Sequence, residues 1–297
     1  MKLKAWLFPL GARSKAWIEK LLPESASAVK NGRCPVSVSD PVLPRILSGD
    51  GDGYLVNGEA VFSPAERASV QHFEASCRRV IPEARRDHAA NLATVESTAT
   101  RGGEGLAGIR LVTGFVLHQV RIQSDVVAGI GGWTSECVIG SDVTKAFESG
   151  GLSGFQLVPV VNPKTGSPHS SCAQLFSESV LPPALIDASV ERIRSRLKEE
   201  DGALRHLGCL SYAEGDLAGY PDFNRSAEPW AGWWGFPSWV VSARVATLFR
   251  RARLKGWHFR PVLERGTAVH DQYLAGWDKL AALVARGVRT NFHGGRF

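Results

Sequence analysis

Residues 240–262 read VVSARVATLFRRARLKGWHFRPV, and residues 138–160 read VIGSDVTKAFESGGLSGFQLVPV. The two stretches, here called copy 2 and copy 1, align without a gap at a constant offset of 102 residues. Identical residues occupy seven aligned pairs: Val138/Val240, Val143/Val245, Phe147/Phe249, Leu152/Leu254, Gly154/Gly256, Pro159/Pro261 and Val160/Val262. The match indicates an internal repeat; the alternative is that two common strand–helix–strand units match by chance.

Each copy predicts a strand, a helix and a second strand. The Val and Phe of each helix are four residues apart, so they share a face that we expect to pack on a sheet. The shared glycine suits the left-handed backbone that ends a helix, and the shared proline suits an edge strand or a strand end. The predicted fold class is therefore α+β, with two related strand–helix–strand modules on mixed or antiparallel sheets and an N-terminal α+β extension.

A polar, glycine-rich stretch divides the chain. Residues 101–105 read RGGEG, which is typical of a flexible connection. We therefore predict an N-terminal α+β region at 1–106, a first repeat module at 107–185 and a second repeat module with the C-terminal helix at 186–297. The alternative is that 107–297 form one domain.

Two local patterns predict structure in the N-terminal region. Residues 54–62 read YLVNGEAVF, in which Asn57-Gly58 predicts the turn of a β-hairpin. Ser63, Pro64 and Glu66 form a capping box that predicts a helix running to about Arg79. At the other end of the chain, apolar residues at helical spacing predict a last helix: Tyr273, Trp277, Leu280 and Val284.

The composition is that of a soluble globular protein, with 44% hydrophobic and 22% charged residues and a formal net charge of +6. The cysteines form no CxxC pair, which favours a reducing compartment over a disulfide framework: Cys34, Cys77, Cys137, Cys172 and Cys209. No apolar run approaches the roughly 18 residues that a membrane helix needs. We therefore expect a cytoplasmic protein with no membrane partner.

The two copies differ in charge. The helix of copy 1 carries Asp142, Lys145 and Glu148, whereas copy 2 has a basic helix at Arg244–Lys255. That helix carries Arg244, Arg250, Arg251 and Arg253, with Lys255 just beyond them. A cluster of this kind suits an acidic partner or nucleic acid, and the alternative is a solvated helix face.

A tryptophan-rich stretch precedes copy 2. Aromatic residues at this density suit either a binding surface or a packed loop over a sheet. The polar residues Asp222 and Arg225 lead into it. The predicted partner-binding residues are Asp222, Arg225, Trp230, Trp233, Trp234, Trp239, Arg250, Arg251 and Arg253.

One metal pattern is present. His169 and Cys172 form an HxxC motif, and His206 and Cys209 form another. Four nitrogen and sulfur ligands suit a structural tetrahedral zinc. Against this, Cys209 stands in an apolar, strand-like context where cysteine is often a core residue. We expect no cofactor, with a structural zinc as the alternative.

Copy 2 resembles a known module. The pattern of an apolar strand, Ser, helix and Leu-x-Gly-aromatic-x-aromatic-x-Pro-Val is carried here by Val240-Val241-Ser242 and by Leu254–Val262. It resembles the C-terminal module of immunity-type proteins of bacterial polymorphic toxin systems, loosely like the myxobacterial double-CXXCG paralogous family, whose CXXCG motifs this chain does not contain. The resemblance implies a cytoplasmic, non-enzymatic inhibitor of a cognate toxin.

No residue is predicted to be catalytic. The candidate acid–base residues are scattered, and the chain has no nucleophile elbow, P-loop, HExxH or GxGxxG motif. The leading hypothesis is a non-catalytic protein-binding protein, an immunity factor that neutralises a cognate toxin or effector protein. The alternatives are an enzyme of unrecognised family with a pocket between the two halves, and a nucleic-acid-binding protein that uses the Arg244–Lys255 helix.

Overall fold

The computed structural model describes residues 1–25, 29, 32–49, 52–82, 87, 89–91, 114–118, 120–131, 133–185, 209–230 and 236–284. The domain boundary predicted at residue 106 lies outside the described residues, as does residue 186, at which the second predicted boundary falls.

The described residues form an α+β fold, which confirms the predicted class. In chain order the elements are β1 (Lys2–Pro9), α1 (Ala12–Leu21), β2 (Cys34–Ser37), α2 (Val42–Leu47), β3 (Tyr54–Val61), α3 (Pro64–Ser69), β4 (His72–Cys77), β5 (Val80–Ile81), β6 (Val127–Ile130), β7 (Trp133–Gly140), α4 (Ser141–Ser149), β8 (Gln156–Val161), β9 (Pro168–Phe176), β10 (Ser211–Tyr212), β11 (Phe223–Trp230), β12 (Phe236–Ser242), α5 (Ala243–Arg251), β13 (Trp257–Pro261), β14 (Leu263–Glu264) and α6 (Ala268–Val284).

The chain divides into two compact units. Unit 1 comprises Met1–Ser69, Leu185–Ala213 and Leu263–Phe297, and unit 2 comprises Val70–Ala184 and Glu214–Val262. Both copies of the repeat lie in unit 2.

Unit 1 contains a three-stranded antiparallel sheet in the order β2-β1-β3 and a short parallel pair, β10-β14. The residues of β1 alternate between its two faces, and Leu3, Ala5 and Leu7 enter the core. The predicted C-terminal helix is confirmed as α6, and its Tyr273 and Trp277 are buried in the same core.

The hairpin predicted at Asn57-Gly58 is wrong. β3 runs through these residues without a turn, because all eight of its residues pair with β1, from Val61 opposite Lys2 to Tyr54 opposite Pro9. Gly58 instead allows a close approach: a Cβ atom there would lie 2.5 Å from Cη2 of Trp277. The glycine therefore makes room for an indole ring.

The capping box predicted at the start of α3 is confirmed. The Ser63 amide donates to Glu66 Oε2 at 2.7 Å, and the Glu66 amide donates to Ser63 Oγ at 3.3 Å. The predicted extension of this helix to Arg79 is wrong, because α3 ends at Ser69 and residues from His72 form β4. Pairing with two neighbouring strands outweighs the local helical pattern.

Unit 2 contains two sheets, one for each copy. Copy 1 forms β7–α4–β8 in a five-stranded sheet of order β5-β6-β7-β9-β8, and copy 2 forms β12–α5–β13 in a four-stranded sheet of order β11-β12-β4-β13. The bounds of α4 and α5 differ by the same 102 residues as the sequences. β8 and β13 both lie at sheet edges, as their prolines predicted.

The two sheets have equivalent strand registers. A third strand lies between the two strands of each module and is antiparallel to both: β9 in the first sheet and β4 in the second. In the first sheet Ala173 pairs with both Ile139 and Pro159. In the second sheet Phe73 pairs with Val241 and Pro261, the residues at the same offset of 102. The repeat therefore extends to the spatial arrangement of its neighbouring strands.

The copies also exchange equivalent hydrogen bonds. The Val127 amide donates to the carbonyl of Lys255 at 2.9 Å, and the Phe223 amide donates to the carbonyl of Ser153 at 3.1 Å. Ser153 and Lys255 are aligned in the repeat, and Val127 and Phe223 hold the same register in their hairpins, opposite Ile139 and Val241. Each copy thus contacts the strand that precedes the first strand of the other copy and pairs with it, as in a two-fold symmetric pair.

Aromatic rings fill the space between the copies. Phe147 of α4 and its equivalent Phe249 of α5 lie 6.0 Å apart between ring centroids. Each also contacts the aromatic residue of its own second strand, Phe155 at 5.6 Å and Trp257 at 5.3 Å. Burying these rings stabilises unit 2, because each removes a large apolar area from water.

Candidate partner-binding surface

Copy 2 carries exposed arginines where the fold does not require them. Arg250, Arg251 and Arg253 are exposed at and after the C-terminus of α5. Their equivalents in copy 1 are Glu148, Ser149 and Gly151. Because copy 1 builds the same helix and the same turn with these other residues, the three arginines are not needed for folding.

Two further arginines lie beside this turn. The Arg78 amide donates to the carbonyl of Gly256 at 2.7 Å, and its guanidinium lies 3.0 Å from His258 Nδ1. Arg79 donates to Gln123 Oε1 at 3.3 Å, and both arginines are exposed. We call the five side chains the arginine surface: Arg78, Arg79, Arg250, Arg251 and Arg253.

Other cations of this region are neutralised by carboxylates. Lys255 Nζ lies 2.6 Å from Asp125, and the hydrogen bond from Lys255 lowers the pKa of that carboxyl group below its usual value. Arg244 pairs with Asp222 at 2.9 Å. By contrast, no described carboxylate forms an ion pair with any member of the arginine surface. At longer range, the charge of Arg79 adds to the effect of Lys255 in lowering the pKa of Asp125.

An apolar residue adjoins these charges. Val80 follows Arg79 directly, and 61% of its surface is exposed, which is unusual for a valine in a β-strand. Interfaces between proteins combine arginine with apolar contacts. The composition of the surface therefore suits a protein ligand.

Arg253 has an unusual backbone conformation. Its φ of 54° lies in the left-handed region, and it is the one non-glycine residue with positive φ in the described part of the chain. Its equivalent Gly151 has φ of 57°. Left-handed backbone costs a residue with a Cβ atom about 1–2 kcal/mol relative to its usual conformation. Strain of this kind is retained at functional sites.

The structure places three predicted partner-binding residues in the interior of unit 2. Arg225 is fully buried, donates to Glu136 Oε1 at 3.1 Å and stacks over the ring of Trp239 at 3.6 Å. Trp239 is buried as well. Asp222 accepts hydrogen bonds from the Ser153 amide and from Ser242 Oγ, so it ties the two copies together. These residues serve the interior of unit 2.

The buried ion pair has further support. Gln174 Nε2 donates to Glu136 Oε2 at 3.1 Å, and Gln174 Oε1 accepts from the amide of Gly114 at 2.8 Å. Burial raises the pKa of Glu136. The charge of Arg225 and the hydrogen bonds that Glu136 accepts from Gln174 and Arg225 oppose this shift. The cluster joins β7, β9 and β11 through polar contacts.

Three predicted partner-binding tryptophans remain. Trp230 lies in β11, where its backbone pairs with Phe236. Trp233 and Trp234 lie outside the described residues. Of the predicted surface residues, the structure therefore describes Arg250, Arg251 and Arg253 together on one exposed turn.

The two HxxC motifs fall in different units. His169 lies 2.7 Å from the carbonyl of Leu117, and burial raises the pKa of the neighbouring Cys172 thiol to about 11. Cys209 is buried in the core of unit 1, and His206 lies outside the described residues. Within the described part of the chain, no three His, Cys, Asp or Glu side chains are grouped as a metal site would need.

One Asp–His pair lies in unit 2. Asp87 contacts His118 Nδ1 and also accepts from the His118 amide at 3.1 Å. Asn91, four residues after Asp87, bonds both the amide and the carbonyl of Val116. The two side chains thus hold the backbone of an extended segment, and they leave His118 with 14% of its side chain exposed. The pair orients an imidazole in the way that acid–base catalysis uses.

Sequence patterns do not identify every one of these residues. Arg78 and Arg79 are adjacent, and an Arg-Arg pair at the end of a strand is a readable signal once β4 is recognised. Asp87 and His118 have no characteristic spacing, because residues far apart in sequence meet only in the fold.

No protein-family model matches this chain, and no curated protein matches it at a significant level. Within the described residues, no helix has the length and apolar character needed to cross a membrane.

Proposed function

We propose that this protein is an immunity-type binding protein that neutralises a cognate bacterial toxin or effector by docking on it through the arginine surface. The observation that carries the proposal is the difference in charge between the two copies. Where copy 1 has Glu148, Ser149 and Gly151, copy 2 has three exposed arginines on the same backbone. The resemblance of copy 2 to the module of toxin-neutralising proteins supports the same function.

Energetics also support a binding function. The like charges of Arg250 and Arg253, three residues apart, repel each other, and Arg253 adds backbone strain that its glycine equivalent avoids. An acidic partner would relieve the repulsion through charge-assisted hydrogen bonds, which arginine forms bidentately with carboxylates. A cost to stability that a partner would offset is characteristic of a binding site.

The test is protection in cells. The toxin-like product of a neighbouring gene is expressed with the wild-type protein or with a variant that carries the residues of copy 1: Arg250→Glu, Arg251→Ser and Arg253→Gly. We expect the wild type to protect and to co-purify with the toxin, and the variant to lose both properties.

A matched control is Lys145→Thr, which removes an exposed cation from copy 1 and introduces the residue of the equivalent position, Thr247. This control should protect as the wild type does. A wild-type protein that neither binds nor protects against the neighbouring product would contradict the proposed function. Protection by the triple variant would agree with the proposed immunity function but would contradict the assignment of the arginine surface as the docking site.

Nucleic-acid binding is the second candidate, and the unpaired positive charge of the arginine surface favours it. Phosphate contacts release counterions, so the affinity for a DNA or RNA duplex would fall steeply with salt concentration. Titration of labelled duplexes at several salt concentrations separates the two candidates. Tight, salt-dependent duplex binding that the triple variant loses would support nucleic acid over a protein partner.

Catalysis is the third candidate, and the orientation of His118 by Asp87 favours it. A His118→Gln variant should then abolish turnover in a screen of hydrolase substrates while the fold is retained. Absence of turnover in the wild type across the screen would count against this candidate.

A further inference from the structure

Two cysteines from the two different sheets of unit 2 belong to one apolar cluster. Cys77 ends β4 of the four-stranded sheet, and Cys137 lies in β7 of the five-stranded sheet. Both belong to the apolar cluster between the sheets, where Cys137 is fully buried and Cys77 is partly exposed. All five cysteines of the chain are free thiols in this structure.

A glycine makes room for the Cys77 side chain. Gly129 of β6 lies directly opposite Cys137 in the sheet. A Cβ atom on Gly129 would lie 3.2 Å from Cβ and 3.7 Å from Sγ of Cys77. The Cys77 side chain therefore lies over Gly129, beside Cys137, the residue that pairs with this glycine across the sheet.

The fold does not require sulfur at either position. In the other sheet, the residue equivalent to Cys137 is Trp239, since the offset is 102. The residue equivalent to Cys77 is Ser177, because β4 and β9 hold the same register. The two thiols thus stand at positions where the other sheet carries an indole and a hydroxyl group.

We propose that Cys77 and Cys137 form a redox-active pair that closes to an intramolecular disulfide when the protein meets a hydroperoxide. The Cys77 sulfur attacks the peroxide oxygen, the O–O bond breaks, and Cys77 becomes a sulfenic acid while water leaves. The Cys137 sulfur then attacks Cys77 Sγ, the S–O bond breaks, and a second water leaves. Overall, two thiols are oxidised and one hydrogen peroxide is reduced to two waters.

The order of the two steps follows from the burial of the cysteines. Cys77 is accessible from the surface, whereas burial raises the pKa of the Cys137 thiol, with contact from Cys77 adding to the shift. A thiol that stays protonated and enclosed reacts poorly with peroxide in solution. Cys137 therefore acts second, on the neighbouring sulfenic acid.

The disulfide would connect the two sheets of unit 2 covalently. It would join residues 60 positions apart in the sequence, Cys77 and Cys137, and a cross-link of this kind restricts the unfolded chain. We expect oxidised protein to unfold at a higher denaturant concentration than reduced protein.

The test treats the purified full-length chain with hydrogen peroxide, alkylates the remaining thiols under denaturing conditions and maps the peptides by mass spectrometry. We expect alkylated cysteines to fall from five to three and a peptide pair joined through Cys77 and Cys137. In a Cys137→Ser variant, Cys77 should stop at sulfenic acid, which a 1,3-diketone reagent traps. Cys172→Ser is the matched control and should still form the cross-link.

Several results would overturn the proposal. They are five alkylated cysteines after a treatment that oxidises a small-molecule thiol, a disulfide between other cysteines, or a disulfide only between two molecules. The wild-type peptide map decides the question alone if a serine variant fails to fold. The outcome is independent of toxin binding, so this inference and the proposed function can fail separately.

Discussion

Arg253 and Gly151 adopt the same left-handed backbone, with φ of 54° and 57°, at the same place after the helices of the two copies. Glycine carries no Cβ atom and adopts this conformation without strain. Copy 1 thus shows the residue that the turn itself favours, and copy 2 shows an arginine that the turn disfavours. The pair distinguishes the residue that the turn favours from the arginine that belongs to the proposed binding surface.

Replacing Arg253 by glycine should therefore stabilise the free protein. We expect Arg253→Gly to raise the free energy of unfolding by about 1 kcal/mol, because it removes the cost of left-handed backbone for a residue with a side chain. Urea denaturation measures the change. The reciprocal variant Gly151→Arg should lower stability by a similar amount, and equal stability of all three proteins would contradict the argument.

The close contact at Gly256 should tolerate no side chain. A Cβ atom there would lie 1.8 Å from the carbonyl oxygen of Val127. Gly256→Ala must therefore break the neighbouring hydrogen bond from the Val127 amide to the carbonyl of Lys255. We expect loss of most folded protein, measured by circular dichroism and solubility. The control is Gly219→Ala, which has φ of 82° but no atom within 4 Å of the added Cβ. It should lose only about 1 kcal/mol.

Breaking the buried ion pair of Glu136 and Arg225 should be costly. Arg225→Met leaves Glu136 buried without its cation and removes the contact with Trp239, so we expect a loss of about 3–5 kcal/mol in the free energy of unfolding. The double variant Glu136→Gln with Arg225→Met should recover part of that loss, because no buried charge is then left uncompensated. A double variant that is no more stable than Arg225→Met would contradict a stabilising ion pair between Glu136 and Arg225.

The pH dependence of unit 1 should involve Glu66. The hydrogen bond from the Met1 amino group, with further bonds from Ser63, lowers the pKa of Glu66 from 4.5 to about 2. A carboxyl group whose pKa is lower in the folded state stabilises the fold at pH values above its unfolded pKa. This stabilisation is lost as the pH falls through its folded pKa. Wild type should therefore lose stability relative to Glu66→Gln between about pH 4.5 and pH 2. Parallel curves for the two proteins would contradict this assignment.

The repeat could be predicted from sequence because its core positions are local. Val and Phe four residues apart define one face of each helix, and the bounds of α4 and α5 follow the offset between the copies. By contrast, β3 and β4 are determined by partners far along the chain. Their local patterns, Asn57-Gly58 and the capping box at Ser63, therefore predicted a turn and a longer helix.

The candidate site could be predicted in part. Arg250, Arg251 and Arg253 follow from charge alone, because a helix end rich in arginine is rarely buried. Alternation along β11 could not place Arg225, because Asn224 and Ser226 on the opposite face of the strand are also buried. Asp87 and His118 needed the three-dimensional structure, because nothing in their separation along the chain brings them together.

The position of β4 has a consequence for synthesis on the ribosome. His72 pairs with Ser242, 170 residues later, and the whole of copy 1 is translated between them. The backbone of β4, including the apolar Phe73 and Ala75, therefore remains without its partner strands until β12 and β13 have been translated. Such long-range closure is slow and leaves a strand open to aggregation in the meantime. The nascent chain should therefore depend on chaperones until about residue 261, the end of β13.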